Sequence, residues 1–249
     1  MKLTVLASGS KGNGYILHND REALLIEAGV PFDRVLQTLK TAGTIAGCIV
    51  THEHGDHAGH VGEYLAHAVP TFMTEGTAKA LAEQKLRIMK PYRLDRMGNG
   101  YDYAAFRVGR FRVKPFATVH DAAEPVGFLI DHPDTGRILF ATDTATLPYR
   151  FDGLAQVMLE CNWCNALMTE RQCPESLKER VRGSHMSLTE CICTLAANGG
   201  WRATNIVLLH VSESDGDGEA FRREVQRNTA HPVHLAAPGL TIDFNQCPI

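Results

Sequence analysis

Hydrophobic positions fall into two alternating patterns along the chain. Short apolar runs with strand spacing are separated by segments whose apolar residues recur at three and four. Residues 3–7 read as a strand that enters a tight polar loop at 8–14. Residues 15–18 and 23–27 read as a hairpin around Asn19-Asp20. Pro31 opens a helix through Lys40, which Gly43 ends. Residues 47–51 are a buried strand and 58–68 a helix with Val61, Leu65 and Ala68 on one face. A short strand at 71–73 and a helix at 77–89 follow, the helix turning Ala78, Leu81, Ala82, Leu86 and Met89 inward.

The middle of the chain is richer in strands. Residues 106–113 form two strands around Gly109, and 115–119 run into His120-Asp121. Residues 126–131 and 137–142 form a hairpin with Pro133-Asp134-Thr135-Gly136 as its turn. A strand at 154–160 and a short helix at 175–182 come next. Ser187-Leu-Thr-Glu190 is a capping box before a helix that stops at Gly199-Gly200. A strand at 205–210, a helix at 218–228 and strands within 233–244 complete the pattern. Two similar β-then-α halves without a linker imply layered α/β architecture. The expectation is one domain over residues 1–249, with two sheets face to face and helices outside.

Composition narrows this picture modestly. Apolar content of 44% and charged content of 21% suit a folded globular chain. A net charge of −3 does not advertise a nucleic-acid binder, although a local basic groove can sit on an acidic protein. The N-terminal apolar run is too short for a signal peptide, and no stretch approaches the ~18 apolar residues of a membrane span. Seven cysteines form an odd set with no disulfide framework, which favours a reducing cytoplasm. Cys161-Asn-Trp-Cys164 has C-x-x-C spacing, but no second pair completes a structural zinc site.

The chemistry concentrates in Thr51-His-Glu-His-Gly-Asp-His57. His52 and His54, one residue apart, can grip one metal ion, and the adjacent Asp56-His57 pair a second beside it. Imidazole and carboxylate suit zinc, manganese or iron. Further candidates close apolar strands downstream: His120, Asp143 and His210. Asp143 is the carboxylate that could bridge two cations. His185, just before the capping box, suits phosphate contact or proton transfer rather than metal binding.

With these residues in view, the chain resembles the metallo-β-lactamase fold superfamily. His52-x-His54-x-Asp56-His57, followed by a His, an Asp and a final His at these intervals, is similar to its metal-binding motif over nearly the whole length. Ser8-Gly-Ser-Lys-Gly-Asn13, His120-Asp-Ala, Pro125-Val-Gly-Phe128, Thr142-Asp-Thr144, Leu159-Glu-Cys-Asn162 and Ser184-His-Met-Ser187 look like the YycJ/WalJ-like branch, whose metal site resembles those of ribonucleases Z and J. The resemblance implies a four-layer αββα sandwich with two divalent cations at one edge. His52, His54 and His120 would hold one; Asp56, His57 and His210 would hold the other; Asp143 would bridge. It implies catalytic roles for Asp56, Asp143 and His185, a metal-bridging hydroxide as nucleophile, and substrate contacts from Ser10, Lys11, Asn13, Asn162 and His185. Three departures stand out, the mildest being Ser212-Glu-Ser-Asp215 where the family has Ser-x-x-Asn-Asn. Glu27-Ala28-Gly29 replaces the family's Asp-Gly, so the longer acid reaches the His loop only if its own loop shifts. Asn162-Trp163-Cys164 replaces Asn-His-Asp.

For substrate, the resemblance implies a DNA exonuclease with 5′-to-3′ polarity. Two basic segments agree: Lys85, Arg87, Lys90, Arg93 and Arg96 with Tyr92 among them, and Arg107, Arg110, Arg112 and Lys114. Two other readings compete. One is a hydrolase of a small phosphodiester, thioester or lactone on the same site. The other is a non-catalytic binding or redox module that keeps the fold. Oligomeric state is open.

Overall fold

The computed structural model of the chain describes residues 1–39, 43–83, 92–94, 97, 103–199 and 203–245. In chain order the elements are β1 Lys2–Ala7, β2 Gly14–His18, β3 Glu22–Ile26, α1 Phe32–Thr38, β4 Thr44–Ile49, α2 Gly55–Ala58, α3 Val61–Ala66, β5 Thr71–Met73, α4 Glu75–Glu83, β6 Tyr92–Arg93, β7 Phe106–Val108 and β8 Phe111–Ala117. Then come β9 Val126–His132, β10 Gly136–Ala141, β11 Leu154–Glu160, α5 Asn165–Glu170, α6 Glu175–Ser184, α7 Leu188–Ala197, β12 Asn205–Leu209, α8 Gly218–Thr229, β13 Val233–Leu235 and β14 Thr241–Asp243.

Among the described residues the strands form two sheets, ordered β14-β1-β2-β3-β4-β5-β6 and β13-β12-β11-β10-β9-β8-β7. Their facing sides carry one apolar cluster, in which Leu17, Leu24, Ile26 and Ile49 meet Val113, Phe128, Phe140 and Val207. A second cluster joins the outer face of the first sheet to α1, α3 and α4 through Val35, Tyr64 and Leu81. A third joins the second sheet to α7 and α8 through Leu195, Phe221 and Val225. This is the αββα sandwich expected above. No helix among the described residues is long and apolar enough to cross a membrane.

Strand direction places the site. β3, β4 and β5 run parallel, as do β10, β11 and β12. β8 and β10 both run antiparallel to β9, so they end at the same sheet edge. The segments after β4, β8, β10, β11 and β12 therefore leave along one edge. Those segments carry the candidate ligands.

The elements differ from expectation in a few places. The helix expected at 58–68 is two short ones, α2 and α3, broken at Gly59-His60. Its first turn is drawn down by backbone bonds from the Ala28 N–H to the His57 carbonyl and from the His60 N–H to the Ala28 carbonyl, at 2.8 and 2.9 Å. α5 was not anticipated: it has no side-chain cap, and Met168 is its one buried residue. The strand expected from Pro115 begins at Phe111, and Pro115 lies inside it, paired with Phe128. β14 leaves the second sheet and pairs with β1 in the first. The helix expected at 77–89 is described as far as Glu83, and its remainder lies outside the described residues.

Candidate metal centre

The His loop is anchored from below before its side chains are considered. The Asn13 N–H donates to the Asp56 carbonyl at 2.7 Å. Gly29 passes so close that a Cβ there would meet that same carbonyl oxygen at 1.7 Å, so only glycine fits. Three non-glycine residues following strands take left-handed backbone: Glu27 at φ 67°, Asp143 at 47° and His210 at 50°. Such conformations cost on the order of 1–3 kcal/mol each and cluster at functional sites.

These segments gather the predicted ligands. The His52 ring lies 4.6 Å from that of His54, 4.2 Å from His57 and 4.8 Å from His120, centroid to centroid. Asp143 Oδ2 sits 3.4 Å from His57 Nε2 and 3.7 Å from His120 Nε2, while its Oδ1 is 3.6 Å from His210 Nδ1. Asp56 Oδ2 is 3.3 Å from His57 Nε2 and 3.5 Å from His210 Nε2. Three sets result, each with its ligand atoms within 4.8 Å of one another: His52/His54/His120 and Asp56/His57/Asp143/His210 from the predicted ligands, and a third, Asp143/Glu160/His185/His210, that overlaps the second. Asp143 stands between the first two.

The donor set fits cations. His52 Nε2 and His210 Nε2 are buried without hydrogen-bond partners, whereas His57 Nδ1 lies 3.5 Å from Glu27 Oε1, on the side away from the ligand set. Unpaired buried polar atoms are costly unless something else satisfies them. The tautomers agree. Thr51 donates its hydroxyl to Glu27 Oε1 at 2.6 Å, so its oxygen accepts from His52 Nδ1–H at 2.9 Å. That leaves a lone pair on His52 Nε2, the orphaned atom. His120 Nδ1–H donates to the Ser184 carbonyl at 2.8 Å, which again frees Nε2. Fixing the far nitrogen is how metal-binding imidazoles are oriented.

Electrostatics show the same demand for positive charge. Burial opposes protonation of His57 and His210, yet the carboxylates around them outweigh it. Asp143 and Glu27 raise His57, and Asp143, Asp56 and Glu160 push His210 up to about 10. Burial also resists ionisation of Asp143, but His210 and His57 hold its carboxyl well below the usual range. His52 and His120 are lowered by burial. The cluster thus offers both neutral imidazoles and carboxylates in want of a cation.

The other predicted residues take varied places. His185 Nδ1 lies 2.7 Å from Glu160 Oε1, and its ring stacks on His210 at 5.4 Å. Glu160 is fully buried and also accepts the Thr144 and Met186 N–H groups at 2.8 and 3.2 Å. It raises His185 against the opposing effect of burial. Asn13 and Asn162, expected at substrate, are buried instead and support ligands. The Asn13 amide lies 3.2 Å from Asp56 Oδ2 and 3.0 Å from His57 Nε2. Asn162 Nδ2 donates to the His210 carbonyl at 2.7 Å. Ser10 and Lys11 are exposed, and Lys11 pairs with Glu213 at 2.7 Å rather than with the cluster. Glu27 does reach the His loop, as the departure from Asp required, by turning its backbone to positive φ. Sequence reasoning gave Glu160 no role. Its signal was its place in Leu159-Glu-Cys-Asn162, which carried the resemblance without assigning it a role. The basic segment at 85–96 lies largely outside the described residues.

A model of the beta-lactamase superfamily domain matches residues 24–211. An exodeoxyribonuclease YycJ of Bacillus anthracis is 26% identical over 238 residues, covering 91% of this chain and 88% of its own. The crystal structure of the metallo-β-lactamase fold protein YhfI from Bacillus subtilis superposes with a TM-score of 0.71 at 17% identity, covering 97% of this chain and 99% of its own. That of a diphosphatase from the PhnP family gives 0.70 at 18% identity, covering 99% and 98%. With three-quarters of its length inside the matched model, the chain belongs to the beta-lactamase superfamily.

Proposed function

We propose that this protein is a metal-dependent phosphodiesterase that degrades DNA as an exonuclease, with 5′-to-3′ polarity as its YycJ/WalJ-like resemblance implies. The convergence of His52, His54, Asp56, His57, His120, Asp143 and His210, with orphaned imidazole nitrogens turned among carboxylates, carries the reading. The similarity to an exodeoxyribonuclease over nine-tenths of the chain supports the choice of substrate.

His52, His54 and His120 would hold one divalent cation, Asp56, His57 and His210 a second, and Asp143 both. Zinc and manganese fit this donor set, with iron a third candidate. Such ions supply Lewis acidity toward a phosphoryl group and a water acidic enough to attack at neutral pH. The protein's own groups do the rest. Glu160 anchors His185 by Nδ1, so Nε2 is the nitrogen turned to substrate. Glu160 raises the pKa of His185 against the effect of burial, which favours its protonated form as the group that would give a proton to the departing oxygen. Asn13 and Asn162 keep Asp56, His57 and His210 from drifting.

The test is metal analysis of the purified protein, then digestion of 5′- and 3′-labelled DNA beside bis(p-nitrophenyl) phosphate. Two metals per chain and stepwise loss of the 5′ label support the reading. A metal-loaded protein that hydrolyses the small ester and leaves DNA intact favours the small-substrate alternative.

A further inference from the structure

Strand β8 has two faces of different chemistry. Phe111 and Val113 point into the core between the sheets. Arg112, Lys114 and Phe116 take the opposite parity, and Phe116 belongs to the outer cluster. Four residues past Phe116, beyond the end of the strand, the chain reaches the candidate ligand His120.

A second wall comes from the segment that follows Asp143. The Thr144 hydroxyl oxygen accepts from the Val119 N–H at 3.0 Å, and the Ala145 N–H donates to the Val119 carbonyl at 2.9 Å. The segment therefore leaves the metal centre alongside the end of β8. Farther on, Tyr149 and Phe151 close on Phe116, with ring centroids 5.6 and 4.8 Å from it. Asn198, buried at the end of α7, holds this stretch from behind. It accepts from the Phe151 N–H at 2.6 Å and donates to the Tyr149 carbonyl at 3.2 Å. The Tyr149 ring is thus set in place while the residue stays 37% exposed.

Between the walls lies a cavity of about 430 Å³ lined by Lys114, Leu129, Tyr149 and Arg150. Arg150 is exposed. At the far end Asp131 is shared by Arg112 at 3.2 Å and Arg137 at 2.8 Å. The groove combines an exposed ring, an apolar floor and cationic side chains, and both its walls lead in sequence to candidate ligands, β8 to His120 and the 144–151 segment from Asp143.

We infer that this groove docks the single-stranded part of a nucleic acid whose end lies in the site. A base stacks on Tyr149, and the backbone phosphates run past Arg150 toward Arg112. Stacking on an aromatic platform beside cations is how single strands are held without sequence preference. This rests on the nuclease reading and deepens it by assigning the path of the strand.

The experiment compares kcat/KM for a labelled oligothymidylate with that for bis(p-nitrophenyl) phosphate on the metal-loaded full-length protein. Tyr149→Ala lowers the oligonucleotide-to-ester ratio by about fivefold or more, the lower end of one stacked base, through KM. Tyr149→Phe retains the ring and restores the ratio. Arg150→Glu flattens the salt dependence of the oligonucleotide KM. If the wild type cleaves the oligonucleotide and both ratios stay constant in Tyr149→Ala and Arg150→Glu, the groove is overturned and the nuclease reading stands. Equal losses on both substrates also overturn it, because a strand path does not touch the small ester. A dimer that dissociates in Tyr149→Ala without change in KM would reassign the groove to a second copy. A wild type active on the ester alone overturns the nuclease reading and the groove together.

Discussion

The Thr51 hydroxyl donates to Glu27 Oε1 across 2.6 Å, and this one bond decides which nitrogen of His52 carries a proton. Replacing Thr51 by Val keeps the shape and removes the relay. The Glu27 carboxylate loses its shortest contact in a fully buried position, and His52 is free to rotate or change tautomer. We expect Thr51→Val to weaken zinc binding by about 10- to 100-fold, the usual effect of losing such an outer partner. Thr51→Ser should stay near wild type. Competition with a chromophoric chelator reads this directly, and wild-type affinity in Thr51→Val would remove the relay from the account.

His185 and Glu160 make a second prediction, which separates proton transfer from metal holding. His185→Ala should retain its metals and lose turnover by ~10²-fold or more. A proton donor must be protonated, so rate should fall as pH rises through the elevated pKa of His185. Glu160→Gln removes the charge that raises it, so the alkaline limb should move to lower pH. An alkaline limb that stays in place in Glu160→Gln would show that His185 is not the titrating acid.

These two pairs also mark what could be read from the chain. Strands were legible because β3, β4 and β12 are nearly continuous apolar runs between turn residues. The candidate ligands were legible because the cluster from His52 to His57 gave the His and Asp at later strand ends a shared reading. Glu160 stood in a motif of the resemblance, Leu159-Glu-Cys-Asn162, but its role was not legible, since only the fold shows Thr144, His185 and Met186 converging on it. Asn13 stood among the substrate contacts only through the resemblance, in the polar loop Ser8-Gly-Ser-Lys-Gly-Asn13. Its burial comes from the approach of the Asp56 carbonyl, a contact 43 residues distant. The pairing of β14 with β1 brings together the two ends of the described chain, which local patterning does not encode.

His54 is only partly buried, unlike His52, so its removal should test metal binding with little damage to packing. We expect His54→Ala to fold, to lose metal from the His52/His54/His120 set and to lose activity. Its melting temperature should match that of chelator-treated wild type. Full metal content together with activity in His54→Ala would reject the assignment of that set.

Acidity supplies the last prediction. In the metal-free protein His57 and His210 have raised pKa values, His210 at about 10. Stability from their protonation is complete below the unfolded value of ~6.5 and is lost as pH rises toward the folded values. His52 and His120 are lowered, so they subtract stability as pH falls below ~6.5. Asp56 and Asp143 are depressed, and their contribution, present above ~3.9, disappears as pH falls. The stripped protein should therefore be most stable in mildly acid solution and weaken through neutrality into alkaline pH. Bound cations displace those protons, so the metal-loaded protein should not share the alkaline decline. Thermal melts with zinc and with chelator, from about pH 6 to about pH 9, should show the metal increment widening as pH rises. An increment that stays constant or narrows over that range would mean that His57 and His210 do not exchange protons for metal.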